Sequence, residues 1–438
     1  MQIDLSKFLA PNQTVAVAVS GGVDSVALLY YMLSQAEKYH IKIVAVNVEH
    51  GIRGQASKDD TNFVESLCAK LGVKLYKYSV DSLLKAKSDK LSLEEAARIL
   101  RYDCFFDLIS KGCCDKVATA HHLSDNFESV ILNLFRGTGL KGVSGIESNY
   151  NDKIIRPFLS VSKHQIQVYA KAQNLSFVTD QTNFDDDYTR NNIRLNLTPI
   201  IKQIFPEAEK SVYRFSEIAK AENQYIEEQS QKALTLYDDC AEIALPLHDA
   251  LICRCAINAF KHLGIKKDWE KVHIDAVCAL KSAKNGTTLE LKNNVCAVKE
   301  YQKIVIYKSF NATAKELPFS LGNLTFANYQ LNVQTVNSQV DLKDGFYADL
   351  DKIPNSAVIR TKKDGDKFTK FGGGSKSLGD FLTDKKVPLR IRNNLPLVAD
   401  GKEILFIFGI AISDKIKVTE NTEKIIKFTI EENYEQEF

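Results

Sequence analysis

The run from Thr14 to Leu33, TVAVAVSGGVDSVALLYYML, narrows the fold more than any other stretch of this chain. Val and Ala alternate over residues 15–19 as in a buried strand, and helical periodicity follows from Ser25 to Lys38. Between them stand Ser20, Gly21, Gly22, Val23, Asp24 and Ser25. A strand that turns through glycines into a helix aims unpaired helix amides and the positive end of the macrodipole at one point, which attracts an anion. Gly21 and Gly22 let backbone approach a phosphate closely, and Ser20 and Ser25 add hydroxyl donors. The stretch lacks the Lys-Ser/Thr pair of the usual phosphate loop and is not the dinucleotide fingerprint. An aspartate in an anion cradle makes chemical sense through a cation, and Mg²⁺ suits a carboxylate joined to phosphate oxygens. The plainer alternative is that Asp24 merely caps the helix.

The alternation of strand and helix continues. A second strand reads over 41–48, a helix over about 59–71 ended by Gly72, and a third strand over 73–80. Ser92 and Glu95 predict a capping box for a helix running to Lys111, followed by strand 115–120, a His121-His122 pair and a helix from Ser124 to Phe135. This order predicts a parallel α/β sheet with its site at the strand carboxyl ends. With 438 residues the chain exceeds one core, so two or three domains are expected. The pattern places a catalytic domain at 1–215 with a connecting helix to about 239, a small mixed middle domain at 240–316, and a small mixed α/β domain at 317–438.

A formal net charge of +2 gives no global pull toward nucleic acid, so any RNA contact must come from a local patch. One such patch runs from Arg360 to Arg392, with ten Lys or Arg against four Asp; Lys362, Lys363, Lys385, Lys386 and Arg390 are its candidate phosphate partners. Generic solvated surface is the competing reading. Nine cysteines without a CxxC pair or zinc spacing read as reduced thiols of a cytoplasmic protein. The amino terminus lacks the marks of a signal peptide, and no apolar run reaches the roughly 18 residues of a membrane span.

Further stretches carry a resemblance. SGGVDS after a first strand is similar to the pyrophosphate loop of the ATP pyrophosphatases, the PP-loop superfamily with the adenine nucleotide α-hydrolase-like fold. NVEHGIRGQASKDD (47–60), SLEEAARILRYDCF (92–105), TAHHLSDNFESVILNLFRGTGLKGVSGI (119–146), IIRPFLSVSK (154–163) and the segment 179–201 resemble, in that order, the motifs of the tRNA(Ile)-lysidine synthetases. Asn126 and Ser129 depart from that family's usual Gln and Thr. The tail from Arg360 to Val398 resembles the family's carboxyl-terminal domain.

The resemblance implies a ligase that activates the wobble cytidine of an isoleucine tRNA with CAU anticodon, using ATP, and then attaches free L-lysine. It implies ATP binding by residues 20–25 with His121 shaping the nucleotide pocket, and Mg²⁺ on Asp24. Asp125 and Glu128, three apart on one helix face, would hold the ammonium groups of lysine and serve catalysis. Arg190 is assigned to catalysis and Arg194 to tRNA, against the alternative that both neutralise Asp185 to Asp187. Arg98 and Arg101 share a helical face, for which a surface ion pair is the simpler reading. A tRNA thiolase of the same superfamily and a non-catalytic RNA- or nucleotide-binding protein remain the rivals. The oligomeric state stays open, a homodimer among the options.

Overall fold

The computed structural model describes residues 3–51, 55–178, 188–265, 269–309, 315–327, 329–336, 341–342 and 344–432. The expectations for Ile52 to Gly54 and for the acidic run Asp185 to Asp187 lie outside the described residues. The chain divides into two compact units, Met1–Tyr225 and Ile226–Phe438.

In the first unit, β1 (Thr14–Ala18) leads into α1 (Val23–Gln35), β2 (Lys42–Glu49), α2 (Gln55–Lys70) and β3 (Leu75–Ser79). Then come α3 (Ser82–Asp89), α4 (Leu93–Ser110), β4 (Lys116–Ala118), α5 (Leu123–Phe135) and the short α6 (Leu140–Val143). β5 (Asn149–Tyr150) and β6 (Ile154–Ile155) form a small hairpin, followed by α7 (Lys163–Ala172). α8 (Tyr188–Asn192) runs into a π-helical stretch, Ile193–Leu197, then α9 (Thr198–Ile204) and the long α10 (Ala208–Ala233), within which the boundary of the units falls.

The sheet order is β3-β2-β1-β4-β6-β5, parallel except for the β5–β6 pair. This is the expected parallel α/β sheet, and residue alternation explains it. Val15 and Val17 of β1 point into one core with Leu28 and Leu29 of α1 and Ile166 of α7. Ala16 points the other way, against Phe105 and Leu108 of α4. Burying a phenylalanine as deeply as Phe105, 1 % exposed, contributes about 2–3 kcal/mol. Strand order reverses between β1 and β4, so a crevice opens where their carboxyl ends diverge.

Ser92 caps α4, its hydroxyl accepting from the Glu95 amide at 3.2 Å, which is one half of the capping box that the sequence predicts. α3 is not in the periodic pattern; Asp81 starts it by accepting from the Leu84 amide at 2.9 Å, and Lys90 in a left-handed conformation ends it. The connecting helix stops at Ala233 rather than near 239, because residues 234–236 turn back as a strand against Cys240–Ala244.

The second unit holds a five-stranded antiparallel sheet over residues 234–308, with Ile252, Ala256 and Phe260 of the helix Asp249–His262 in its core. Beyond residue 316 a seven-stranded and a four-stranded sheet share a core in which Phe406 and Phe428 stack at 4.0 Å. No helix among the described residues is long and apolar enough to cross a membrane.

Candidate active site

The crevice between β1 and β4 holds a cavity of ≈ 370 Å³. Ser20, Gly22, Asp24 and Ser25 line it from the glycine loop, and His121 and Asp125 from the turn after β4. The loop is held by its own hydrogen bonds. The Ser20 amide donates to Ser25 Oγ at 3.1 Å, and Ser25 Oγ donates to the Gly22 carbonyl at 2.9 Å. Gly21 has φ +93°, a conformation L side chains rarely adopt, which is the physical reason for glycine there. Its carbonyl accepts from the Val178 amide at 2.9 Å, tying the loop to a segment far along the chain. Gly22 stands at the amino end of α1, where a phosphate would meet free amides.

Asp24 sits in the first turn of α1 with its Oδ2 2.5 Å from Lys163 Nζ and 3.9 Å from His122 Nε2. Its Oδ1 is buried without a hydrogen-bond partner. An orphaned carboxylate oxygen in the first turn of a helix that follows a glycine turn fits a divalent cation. Among the described residues no group of three or more His, Cys, Asp or Glu is arranged for a metal. A cation would therefore rest on Asp24 and on oxygens that the ligand brings.

Asp125 closes the start of α5, accepting from the His122 amide at 2.9 Å. Burial alone would raise its pKa; His122, His121, that amide and Arg194 outweigh burial and hold the carboxyl below its ordinary value. Burial, with Arg156, Arg98 and Arg101 adding, pushes His121 down to about 3, against the opposing pull of Asp125, so the imidazole is neutral at working pH. Its Nδ1 lies 2.9 Å from Thr119 Oγ1.

Glu128 is buried one turn further along α5, and both its oxygens are taken. Arg194 donates Nε to Oε1 at 2.7 Å and Nη2 to Oε2 at 2.8 Å, and Arg190 Nε approaches Oε2 at 3.4 Å. Arg194 Nη2 also reaches Asp125 Oδ1 at 3.5 Å. Arg194, expected at the tRNA surface, is thus a fork across the two acids expected to hold lysine. Arg190 further donates to Ser129 Oγ at 3.2 Å, and Ser129 in turn donates to the Asp125 carbonyl at 2.8 Å. The other departure from the family pattern has a packing role. Asn126 Oδ1 accepts from the Ile146 amide at 2.8 Å and its Nδ2 donates to Ser216 Oγ at 3.2 Å, fastening α5 to α10.

Several site groups are missed in the sequence or read there in another role. His50, Arg101 and Tyr102 line the cavity. Arg101 Nε donates to His50 Nε2 at 3.3 Å, and burial, then Arg101, lower the His50 pKa to about 4. Arg98 lines the cavity too, its guanidinium 5.1 Å from the centroid of the Tyr102 ring. Arg98 and Arg101 thus belong to the cavity wall, and among the described residues neither forms a surface ion pair. Lys163, on Asp24, is a further such group. The motif stretches 47–60, 92–105 and 154–163 contain these residues but do not rank them.

The basic segment of the second unit is less free than its sequence implies. Arg390, expected to contact tRNA, is only 15 % exposed and turned onto Glu300 at 3.4 Å and Glu242 at 3.9 Å. Arg360 is buried in a bidentate pair with Asp366, Lys363 pairs with Glu316, and Lys376 with Asp384. Lys385 and Lys386 are exposed, and Lys362 partly so.

Residues 1–201 match the PP-loop domain family and residues 357–428 the TilS substrate C-terminal domain family. The chain is 32 % identical to the tRNA(Ile)-lysidine synthase of Clostridium tetani, covering 97 % of this chain and 95 % of that one. It is 31 % identical to the tRNA(Ile)-lysidine synthase of Clostridium acetobutylicum, covering 98 % of each. A glycine turn at the start of α1, opening into a cavity that Asp125 of α5 also lines, thus coincides with similarity along almost the entire length. The chain belongs to the tRNA(Ile)-lysidine synthase family.

Proposed function

We propose that this chain uses ATP to join free L-lysine to carbon 2 of the wobble cytidine in an isoleucine tRNA with a CAU anticodon. One observation carries the reading beyond family membership: the glycine loop and the acidic start of α5 open into the same cavity, so an anion and an ammonium can be held side by side. The cytidine O2 attacks the α-phosphorus of ATP and pyrophosphate leaves. The ε-amine of lysine then attacks carbon 2, AMP departs with the former O2, and the amine gives up its proton.

The chain's residues suit each part. Ser20, the Gly21–Gly22 turn, Val23 and Ser25 receive the phosphates, with the α1 dipole favouring the charge that builds on the leaving group. Asp24 would hold Mg²⁺, which supplies further neutralisation of that charge when bound. Neutral His121 shapes the wall and accepts or donates hydrogen bonds without adding charge. Asp125 and Glu128 receive the ammonium groups of lysine, and Arg194 and Arg190 hold that seat until the amine displaces them. The middle segment and the carboxyl-terminal segment hold the tRNA, the latter through Lys362, Lys363, Lys385 and Lys386.

The thiolase reading lacks support at the site, since no cysteine lines the cavity among the described residues. The test is labelled lysine incorporation into isoleucine tRNA with and without ATP. Incorporation that needs ATP and releases AMP is expected; label transferred from a sulfur donor, or no label at all, overturns the reading.

A further inference from the structure

The ion pair between Lys163 and Asp24 joins residues 139 apart in sequence, and several local devices hold it in place. Ser162 caps α7 reciprocally: its hydroxyl accepts from the Gln165 amide at 3.2 Å, and Gln165 Oε1 accepts from the Ser162 amide at 3.0 Å. That fixes the first turn of α7 and with it Lys163. Ile166 and Ala170 pack α7 into the same core as Leu28 and Leu29 of α1, and Tyr169 meets the Tyr31 ring at 6.1 Å. The two helices are therefore locked with the start of α7 beside the start of α1, and Lys163 Nζ lies 2.5 Å from Asp24 Oδ2.

This places a positive charge where the phosphate loop expects a cation. Asp24 retains one buried oxygen that no hydrogen bond satisfies, so the pairing is incomplete. Lysine is a compact point charge on a flexible stem, able to change partner by rotation, unlike the planar fork of arginine. Its side chain is 37 % exposed, which leaves room for that rotation.

We propose that Lys163 is an exchangeable counter-ion of the pyrophosphate loop. It neutralises Asp24 until the nucleotide and its cation enter, then turns to the phosphate oxygens of ATP, and stays on the pyrophosphate as it leaves. The proposal rests on the ATP chemistry proposed above and adds a residue to it.

The exchange predicts effects of opposite sign from one substitution. In Lys163→Met, binding of inorganic pyrophosphate without divalent metal, measured by calorimetry on the full chain, should weaken about tenfold or more, since one charge-assisted hydrogen bond disappears. Binding of Mn²⁺ without nucleotide, followed by electron paramagnetic resonance, should strengthen about fivefold, since a like charge about 4 Å away has been removed. Lys163→Arg should retain pyrophosphate binding, and adding Asp24→Asn to Lys163→Met should abolish the Mn²⁺ gain. A lysine that only supports the fold would weaken both ligands together or neither, and either result overturns the proposal; Lys163→Gln repeats the test if the Met variant melts early. Failure of the functional reading looks different: the unaltered chain would then form no AMP from ATP and tRNA, whatever Lys163 does to pyrophosphate and Mn²⁺.

Discussion

Glu128→Gln separates the two half-reactions proposed for this site. The carboxylate is 2 % exposed and receives two short bonds from Arg194, at 2.7 and 2.8 Å, with Arg190 at 3.4 Å. The amide has nearly the same shape but one acceptor oxygen, and it turns an N–H₂ toward a guanidinium. One Arg194 bond is therefore lost outright and the other becomes a bond to a neutral acceptor. A hydrogen bond to a charged group contributes about 1.5–3 kcal/mol. Arg194 is 41 % exposed and water can take up its freed donors, so the lower end applies, about 1.5 kcal/mol. The lysine ammonium, enclosed in that seat without water to replace the missing acceptor, falls at the upper end and loses about 1.5 kcal/mol more than Arg194 does, so lysine transfer should slow about tenfold or more. Formation of the adenylated tRNA needs no amine and should change little. Single-turnover assays with labelled phosphate and labelled lysine report the two steps separately, and thermal melting checks that the variant folds. Expected are normal pyrophosphate release, an accumulating adenylated tRNA and slow lysine uptake. Equal slowing of both steps, with lysine affinity intact, would falsify the clamp and assign Glu128 to adenylation or to the fold.

Asp24→Ala should lower AMP formation about a hundredfold or more, because the leaving charge is deprived of its cation seat; an unchanged rate of AMP release with tRNA and lysine supplied sinks that role. Replacing Lys362, Lys363, Lys385 and Lys386 with Ala should weaken tRNA binding, spare ATP binding, and flatten the salt dependence by roughly one log–log unit for each phosphate no longer neutralised; Lys363, already paired with Glu316, should contribute least. Unchanged affinity and slope would mean that this face is not the tRNA surface. Folding should weaken in mild acid. His50 and His121 are held to about 4 and about 3 in the folded chain, so between their unfolded value near 6.5 and about pH 4 only the unfolded chain binds those protons. Stability present above about pH 6.5 is lost as pH falls, at up to about 1.4 kcal/mol per pH unit for each histidine and less for the part-exposed His50. The melting temperature of His50→Gln should fall less steeply than that of the unaltered chain from about pH 7 to about pH 5, on either side of the free histidine value, and a parallel fall would show that His50 does not contribute.

What is legible in the sequence follows from how far each relation reaches along the chain. The strand–loop–helix that opens the chain is local: alternation, glycines and helix period all sit within one window, and the structure keeps the order while placing the strand at Thr14–Ala18 and the helix at Val23–Gln35, where the sequence predicts 15–19 and Ser25 to Lys38. The pairing of Asp125 with Glu128 is local too. Other relations are not. Arg194 meets Glu128 across 66 residues, Lys163 meets Asp24 across 139, and Arg101 meets His50 across 51. Each is set by which strands neighbour one another and by the register of a helix against the sheet, and neither has a period in sequence. α3 hides for a different reason: its start depends on one aspartate cap, and exposed Leu83 and Leu84 give it no apolar stripe.

The basic tail shows the opposite error, in which sequence overstates what a surface offers. A count of charges treats every Lys and Arg as free, yet a folded domain engages some of them internally. Arg360 grips Asp366 and the Gly401 carbonyl in the core, and Arg390 leans on Glu300 and Glu242. Alanine at either position would leave a buried acid without its partner, a change that costs several kcal/mol when the pair is enclosed. Weaker tRNA binding in such a variant would then report a disturbed fold as readily as a missing phosphate partner. The same logic governs Arg194, whose fork on buried Glu128 fastens the segment from Tyr188 to Ile204 onto α5. A charge can be assigned to a ligand only after its ties to its own protein are counted, and here that leaves Lys362, Lys385 and Lys386 on the surface and the part-exposed Lys163 beside Asp24 as the cations best placed to change partners.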